Sequence, residues 1–416
     1  MRTSSPVRGL SQPSVAAPAI AIFVMFGLPD GMLGAAWPAV RADLGLPVAA
    51  LGVLLVSNTV GFLLTSTANG GLADRAGPRI AVLAAAAVTL AGSLIVAVSR
   101  LLALLALGVL VLGACGGVLD PTLSTLASLE RRHRLLNLMH GGYGLGAALA
   151  PLLVAVAVVL GSWRGAYVAL ALSQVAICTW WGRATAHARA PLNGPLPAAR
   201  EPSAPERSDP GTAPATCRGC GGSGWRPAVM GITTFFFVSG LEIAIGAWAA
   251  TYLRGPLRLS AALTGVGVFT YWASLTASRI VAGALPHRRG PRELALAGSV
   301  AAVAGTAVLW WGPDALMAIA GLIVAGVGTG LVFPALTSLT PARVGPSLAP
   351  RVIGWQLAAG AVGAAVLSSA IGVGLQRIGL TMTGPLLTAL AIVAGALTVA
   401  LDWMARRRST VAPVER

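Results

Sequence analysis

The chain has 416 residues, 56% of them hydrophobic and only 10% charged, where an ordinary soluble protein carries about 25% charged residues. That balance excludes a soluble globular enzyme and predicts a polytopic membrane protein. The net charge of +16, carried by 29 basic residues that are all arginine, would suit a nucleic-acid binder only as a basic patch or stripe, and these arginines are instead spread along the chain.

Apolar runs about as long as a bilayer-crossing helix are predicted at 17–40, 48–73, 79–99, 101–129, 135–161, 164–182, 227–253, 260–286, 293–312, 314–340, 352–376 and 383–405. These are twelve spans in two groups of six. The first follows Arg2 and Arg8 and so resembles a signal peptide, yet eleven further spans favour an uncleaved helix. It reads Gly27-Leu28-Pro29-Asp30-Gly31-Met32-Leu33-Gly34, with Trp37 one turn beyond. A carboxylate such as Asp30 is costly in hydrocarbon and there usually marks an ion or solute path. Pro29 and the glycines loosen the helix and leave backbone groups for a ligand. Between spans two and three stands Gly71-Leu72-Ala73-Asp74-Arg75-Ala76-Gly77-Pro78-Arg79, whose glycines allow a tight turn. Its Asp74 can pair with Arg75 or Arg79 or cap a helix; a plain basic turn is the alternative. Span four carries Asp120. Span five opens with Asn137-Leu138-Met139-His140, and Arg279 near the end of span eight is expected to snorkel to the headgroups.

Residues 183–226 are rich in Pro, Arg, Ser and Gly and too poor in apolar residues to build a core. They are read as a disordered cytoplasmic linker between an N-terminal bundle, 1–182, and a C-terminal bundle with a basic tail, 227–416. Cys217 and Cys220 in this linker show half of a zinc ribbon's spacing and no second half, so no metal site or other cofactor is assigned. With Cys115 and Cys178 inside spans, no disulfide framework is expected. In the second bundle, Glu242 lies among helix-packing glycines of span seven with Trp248 nearby, and Gln356 lies in span eleven. With both termini in the cytoplasm, 22 arginines fall inside and six outside (16 against six without the linker). This positive-inside bias sets the orientation of a multi-pass plasma (inner) membrane protein.

The two groups of spans repeat one another. Leu72 to Arg79 corresponds to Leu285 to Arg292, and Asp120-Pro121 to Phe333-Pro334, both by 213 residues; Asp30 before Gly34 corresponds to Glu242 before Gly246 by 212, and His140 to Gln356 by 216. Two homologous halves with an even number of spans share one orientation and are related by an axis along the membrane normal. This plan resembles the major facilitator superfamily, whose solute site lies between the halves near mid-bilayer, and the 71–79 stretch resembles its loop signature. The resemblance implies an all-α membrane fold of twelve helices as two parallel six-helix repeats, a transporter and not an enzyme. It also implies that Gly71, Asp74, Arg75, Gly77 and Arg79 form a latch holding one access state.

Leu119-Asp120 followed by Asn137-Leu138-Met139-His140 and Gly144 resembles the fucose-permease branch of proton-coupled sugar carriers more narrowly. That implies proton coupling at Asp120, whose mate Phe333 shows that the fold needs no acid there, and sugar contacts at Asn137 and His140, although the branch has glutamine where His140 stands. Asp30 and Glu242 are expected to face each other across one cavity, with Gln356, Trp37 and Trp248 as further solute contacts. The expected partners are a small solute, protons and the bilayer, with no nucleic acid and a monomer sufficient. The leading reading is proton-linked symport of a small polar solute such as a sugar; the alternative is proton-driven efflux of a drug or metabolite.

Overall fold

A computed structural model of the chain describes residues 13–129, 133–186, 225–284, 290–312, 314–345 and 347–409, apart from the side chains of 13, 14, 67–75, 128, 129, 133, 134, 284, 408 and 409. The described residues form helices α1 (Pro13–Leu44), α2 (Ala50–Val98), α3 (Leu102–Leu129), α4 (His133–Val159), α5 (Arg164–Ala186), α6 (Trp225–Arg254), α7 (Ala261–Ala284), α8 (Pro291–Trp311), α9 (Ala315–Val344), α10 (Ala349–Ile378) and α11 (Thr383–Ser409), with a 3-10 turn at Leu380–Met382. No strand occurs among them.

At 49 residues α2 is too long for one crossing, and it is broken at Gly77, where φ is 80° and ψ is 161°. A side chain is strained at that positive φ, and Pro78 next in line has the fixed φ that suits the first turn of a new helix. Two arms of α2 plus ten other helices make twelve spans, as the sequence predicts. Nine described helices are long and apolar enough to cross a membrane on composition alone. The first arm of α2, α5 and α7 fall below that measure; α5 carries Gln174 and Arg183, and α7 carries Arg279 and several hydroxyls. Helix α5 also continues to Ala186, past the predicted start of the linker. Most of 183–226, with Cys217 and Cys220, lies outside the described residues.

The packing repeats like the sequence. Helix α1 lies on α4 as α6 lies on α10, α2 on α3 as α8 on α9, and α2 on α5 as α8 on α11. Where the halves meet, α1 crosses α6, α4 lies against α7, and α2 against α10. One apolar core runs through this seam and holds Trp37, Leu51 and Tyr167 together with Trp248 and Tyr271; a second, around Phe23, Leu123 and Trp181, belongs to the first half alone.

The seam is tight at one end. At the α1–α6 crossing, a Cβ on Gly34 would sit 2.6 Å from both the Ala247 Cα and the Gly246 carbonyl oxygen. Gly265 of α7 meets the Pro151 carbonyl of α4, where a Cβ would stand 2.9 Å away. Between α2 and α10, the Ala49 N–H donates to Gln376 Oε1 at 3.0 Å and Ser369 Oγ to the Gly52 carbonyl at 3.2 Å. All these contacts lie toward the C-terminal ends of α1 and α4 and the start of α2. Nearby, Asp43 pairs with Arg164 and accepts from Trp163 Nε1 at 3.1 Å, pinning α5 to α1.

Candidate solute cavity

Away from that closed end, a cavity of about 290 Å³ opens among α1 to α5 and touches the second half only through Ala361 and Ala364 of α10. Its size is near the lower limit for small-molecule sites, about 300–1,000 Å³. Three titratable side chains that stand out in the sequence line it: Asp30, Asp120 and His140.

Asp30 is placed by the way α1 meets α4. Gly27 and Gly31 let the helices touch, since a Cβ on Gly27 would collide with the Tyr143 carbonyl and one on Gly31 with the Ala147 carbonyl. This contact brings Tyr143 Oη to Asp30 Oδ2, to which it donates at 2.5 Å, while Asn58 Nδ2 from α2 donates to Oδ1 at 3.5 Å. Pro29 lacks an N–H, so the Met25 carbonyl one turn back loses its intrahelical donor beside the cavity. Asp120 is half-buried in α3 and accepts from Ser124 Oγ one turn along at 2.9 Å. His140 is exposed, its ring edge-on to Phe23 at 5.4 Å. Asp30 sits midway along α1, whereas Asp120 and His140 lie toward the end from which α1 starts, so the cavity runs from the middle of the bundle toward that face.

Glu242 does not line this cavity. It is buried, and its Oε2 pairs with Arg279 Nη2 of α7 at 2.6 Å, while its carbonyl accepts from Tyr271 Oη at 2.7 Å. The expectation that Arg279 snorkels to the headgroups is thus corrected: a buried carboxylate one helix away, costly to leave unpaired, draws the guanidinium inward, 5.7 Å over the Phe333 ring. Asp30 and Glu242 therefore occupy separate sites. Tyr143 is bonded to Asp30 and lies within electrostatic reach of Glu242 and Arg279.

The remaining sequence candidates lie apart. Trp37 and Trp248 are fully buried in the seam core, the latter donating from Nε1 to the Ser368 carbonyl at 2.9 Å. Gln356 is buried within the second half and accepts from Thr340 Oγ1 at 3.1 Å. Asn137 is exposed one turn before His140 and outside the lining. Of the latch stretch, Gly71, Asp74 and Arg75 lie in α2 with their side chains outside what is described; Gly77 forms the break in α2, and Arg79 Nη2 donates to the Gly182 carbonyl at 3.4 Å. The lining also includes Thr89, Cys115 and Gln174, which sequence reasoning passed over. A neutral amide or hydroxyl in an apolar span is common enough to carry little signal; only the placement of its helix shows where it points.

The family comparison is decisive at this point: the Major Facilitator Superfamily model matches residues 19–368. The chain belongs to the major facilitator superfamily. It is therefore a multi-pass membrane transporter and not an enzyme. A stretch of 119 residues is 33% identical to the glucose transporter GlcP of Staphylococcus epidermidis (strain ATCC 12228 / FDA PCI 1200), covering 28% of this chain and 27% of that protein. The chain thus matches only about a quarter of this curated relative's length. The crystal structure of a mutant of the nucleoside transporter NupG superposes with a TM-score of 0.72 at 14% identity, covering 93% of this chain and 98% of that one, a likeness of fold.

Proposed function

We propose that this superfamily member carries a small neutral solute built on a sugar ring, coupled to protons through Asp120, by rocking of its two halves. The observation that carries the reading is the cavity: two carboxylates and a histidine line a chamber with no arginine or lysine among its described lining residues, closed by the seam at one end and directed toward the other. Two acids without a basic partner disfavour an anionic solute. Asp30, held by Tyr143 and Asn58, offers oxygen to solute hydroxyls, and His140 with Asn137 stands at the mouth. Asp120, whose hydrogen-bond partner among the described residues is Ser124, is the acid we assign to proton exchange as access alternates. Glu242, Gln356, Trp37 and Trp248 are assigned here to the seam and the second half, away from the solute in this state. Gly71, Asp74, Arg75, Gly77 and Arg79 serve as the latch at the turn within α2. The arginine distribution supports a cytoplasmic side for both termini, and hence for the open end, in the cell membrane. The similarity to a glucose transporter supports the sugar assignment.

A second reading is efflux of a hydrophobic cation in exchange for protons, favoured by Met25, Phe26, Phe62 and Ile177 in the same lining. Thermal-shift measurements of purified protein against neutral sugars and hydrophobic cations separate the two. In proteoliposomes with an imposed pH gradient, Asp120→Asn is expected to abolish accumulation of the bound solute while leaving counterflow exchange intact. Undiminished gradient-driven uptake would remove Asp120 from coupling.

A further inference from the structure

The cavity extends beyond the residues nearest the seam. It continues outward between α2 and α5, to a floor formed by Ala86, Thr89, Cys115, Gln174 and Ile177. The hydroxyl of Thr89 is already engaged there, donating to the Ala85 carbonyl at 3.0 Å and lying 2.6 Å from Cys115 Sγ. Gln174 differs. Its residue is 96% buried (4% exposed), and its Nε2 has no hydrogen-bond partner. Among the described residues it is the only cavity-lining side chain with a buried polar atom left unpaired. A buried amide N–H without an acceptor is strongly unfavourable, and buried polar groups are paired in the great majority of structures. An orphaned donor on a side chain that lines a chamber can be satisfied by an acceptor that arrives from outside.

We infer that Gln174 Nε2 is a solute-binding donor at the floor of the cavity, meeting a hydroxyl, ether or carbonyl oxygen of a solute whose other end offers hydroxyl groups to Asp30. This rests on the solute reading above and adds a specificity determinant in α5, a helix that takes no part in the α1–α6 crossing. The cavity then presents a donor at its floor and a carboxylate acceptor at its middle. A solute with both kinds of group, such as a polyol or sugar, matches this pair; a hydrophobic amine bearing donors alone leaves the amide unpaired and binds worse for it.

The test compares wild type with Gln174→Met, which keeps length and removes the amide, and with Gln174→Glu, which keeps the shape but replaces the donor. D-glucose is the probe, together with its singly deoxygenated derivatives. Gln174→Met is expected to melt no lower than wild type without ligand, because no bond within the protein is lost. Both variants are expected to bind glucose about tenfold more weakly. One deoxy derivative, lacking the hydroxyl that meets the amide, is expected to bind wild type and Gln174→Met alike. Equal glucose affinity in all three proteins overturns the inference. So does a ligand-free melting temperature several degrees lower in Gln174→Met, which would mean that the amide is bonded inside the protein. Failure of glucose to bind wild type sinks the sugar reading, and the ligand-free comparison then decides by itself whether the amide stands unpartnered.

Discussion

The closed end of the seam rests on the absence of a side chain at Gly34, and adding one methyl group tests whether that closure is one of two states. A Cβ there would lie 2.6 Å from the Ala247 Cα and the Gly246 oxygen and 3.0 Å from the Ala247 oxygen. All three are backbone atoms and cannot rotate away. Ordinary carbon contacts begin at roughly 3.5 Å, so α1 and α6 must part by about 1 Å at the crossing. Overpacking of this kind costs about 1–3 kcal/mol. The clash exists only while the seam is shut, so the whole cost bears on the equilibrium between shut and open forms, a shift of about 5- to 150-fold toward the open one. The readout is a cross-link across the same end. A Cβ on Gly52 would stand 2.9 Å from Ser369 Cβ, inside the separation of about 3.5–4.5 Å that a disulfide spans, so a cysteine at 52 itself parts α2 and α10 slightly, a cost shared by every variant compared. Cysteines at 52 and 369, in a background with the four native cysteines replaced, are expected to join readily. Gly34→Ala is expected to slow that joining at least about fivefold. Gly354→Ala, where a Cβ meets nothing within 4 Å, is expected to leave the rate unchanged. An unaltered cross-linking rate in a normally melting Gly34→Ala protein would refute the argument that this crossing governs access.

Two further perturbations separate structure from solute binding. Arg279→Met leaves Glu242 buried without its partner and is expected to destabilise the protein by about 2 kcal/mol, below the 3–5 kcal/mol of a fully buried pair because the Arg279 side chain remains 33% exposed. Adding Glu242→Gln should restore part of the loss, and a double-variant melting temperature equal to the sum of the two single losses would show that the pair is not coupled. A Glu242→Gln protein that melts normally yet binds solute weakly would instead return that carboxylate to the solute path. Tyr143→Phe removes the donor to Asp30 Oδ2 and leaves only the long Asn58 bond; hydrogen bonds to charged groups contribute about 1.5–3 kcal/mol, so solute affinity is expected to fall at least about tenfold in equilibrium binding. Unchanged affinity would place Asp30 outside the solute contacts.

Much of this architecture is legible in the chain because its signals are local. Gly77-Pro78 breaks α2 where a left-handed residue is followed by one with fixed φ, and the recurring offset of 212 to 216 residues anticipates which helices pack as mates. The cavity acids were legible for a related reason, since a carboxylate in an apolar run is expensive wherever it points. Sequence could not show which carboxylate meets a cation. Arg279 is 37 residues from Glu242 and reaches it only because α7 packs on α6, so a spacing argument had no purchase on the pair. Gln174 escaped notice for the opposite reason: a neutral amide costs little until its surroundings withhold an acceptor, and those surroundings are assembled from three helices. The duplication then acquires a physical meaning. Both halves inherited an acid in their first helix, but in the second half a guanidinium neutralises it, and the counterpart of Asp120 is Phe333, against which that same guanidinium lies. The first half keeps its acids facing an open chamber. In the proposed cycle the first half holds solute and proton while the second supplies a surface that shuts against it, and charges distributed in this way let one duplicated fold divide those tasks.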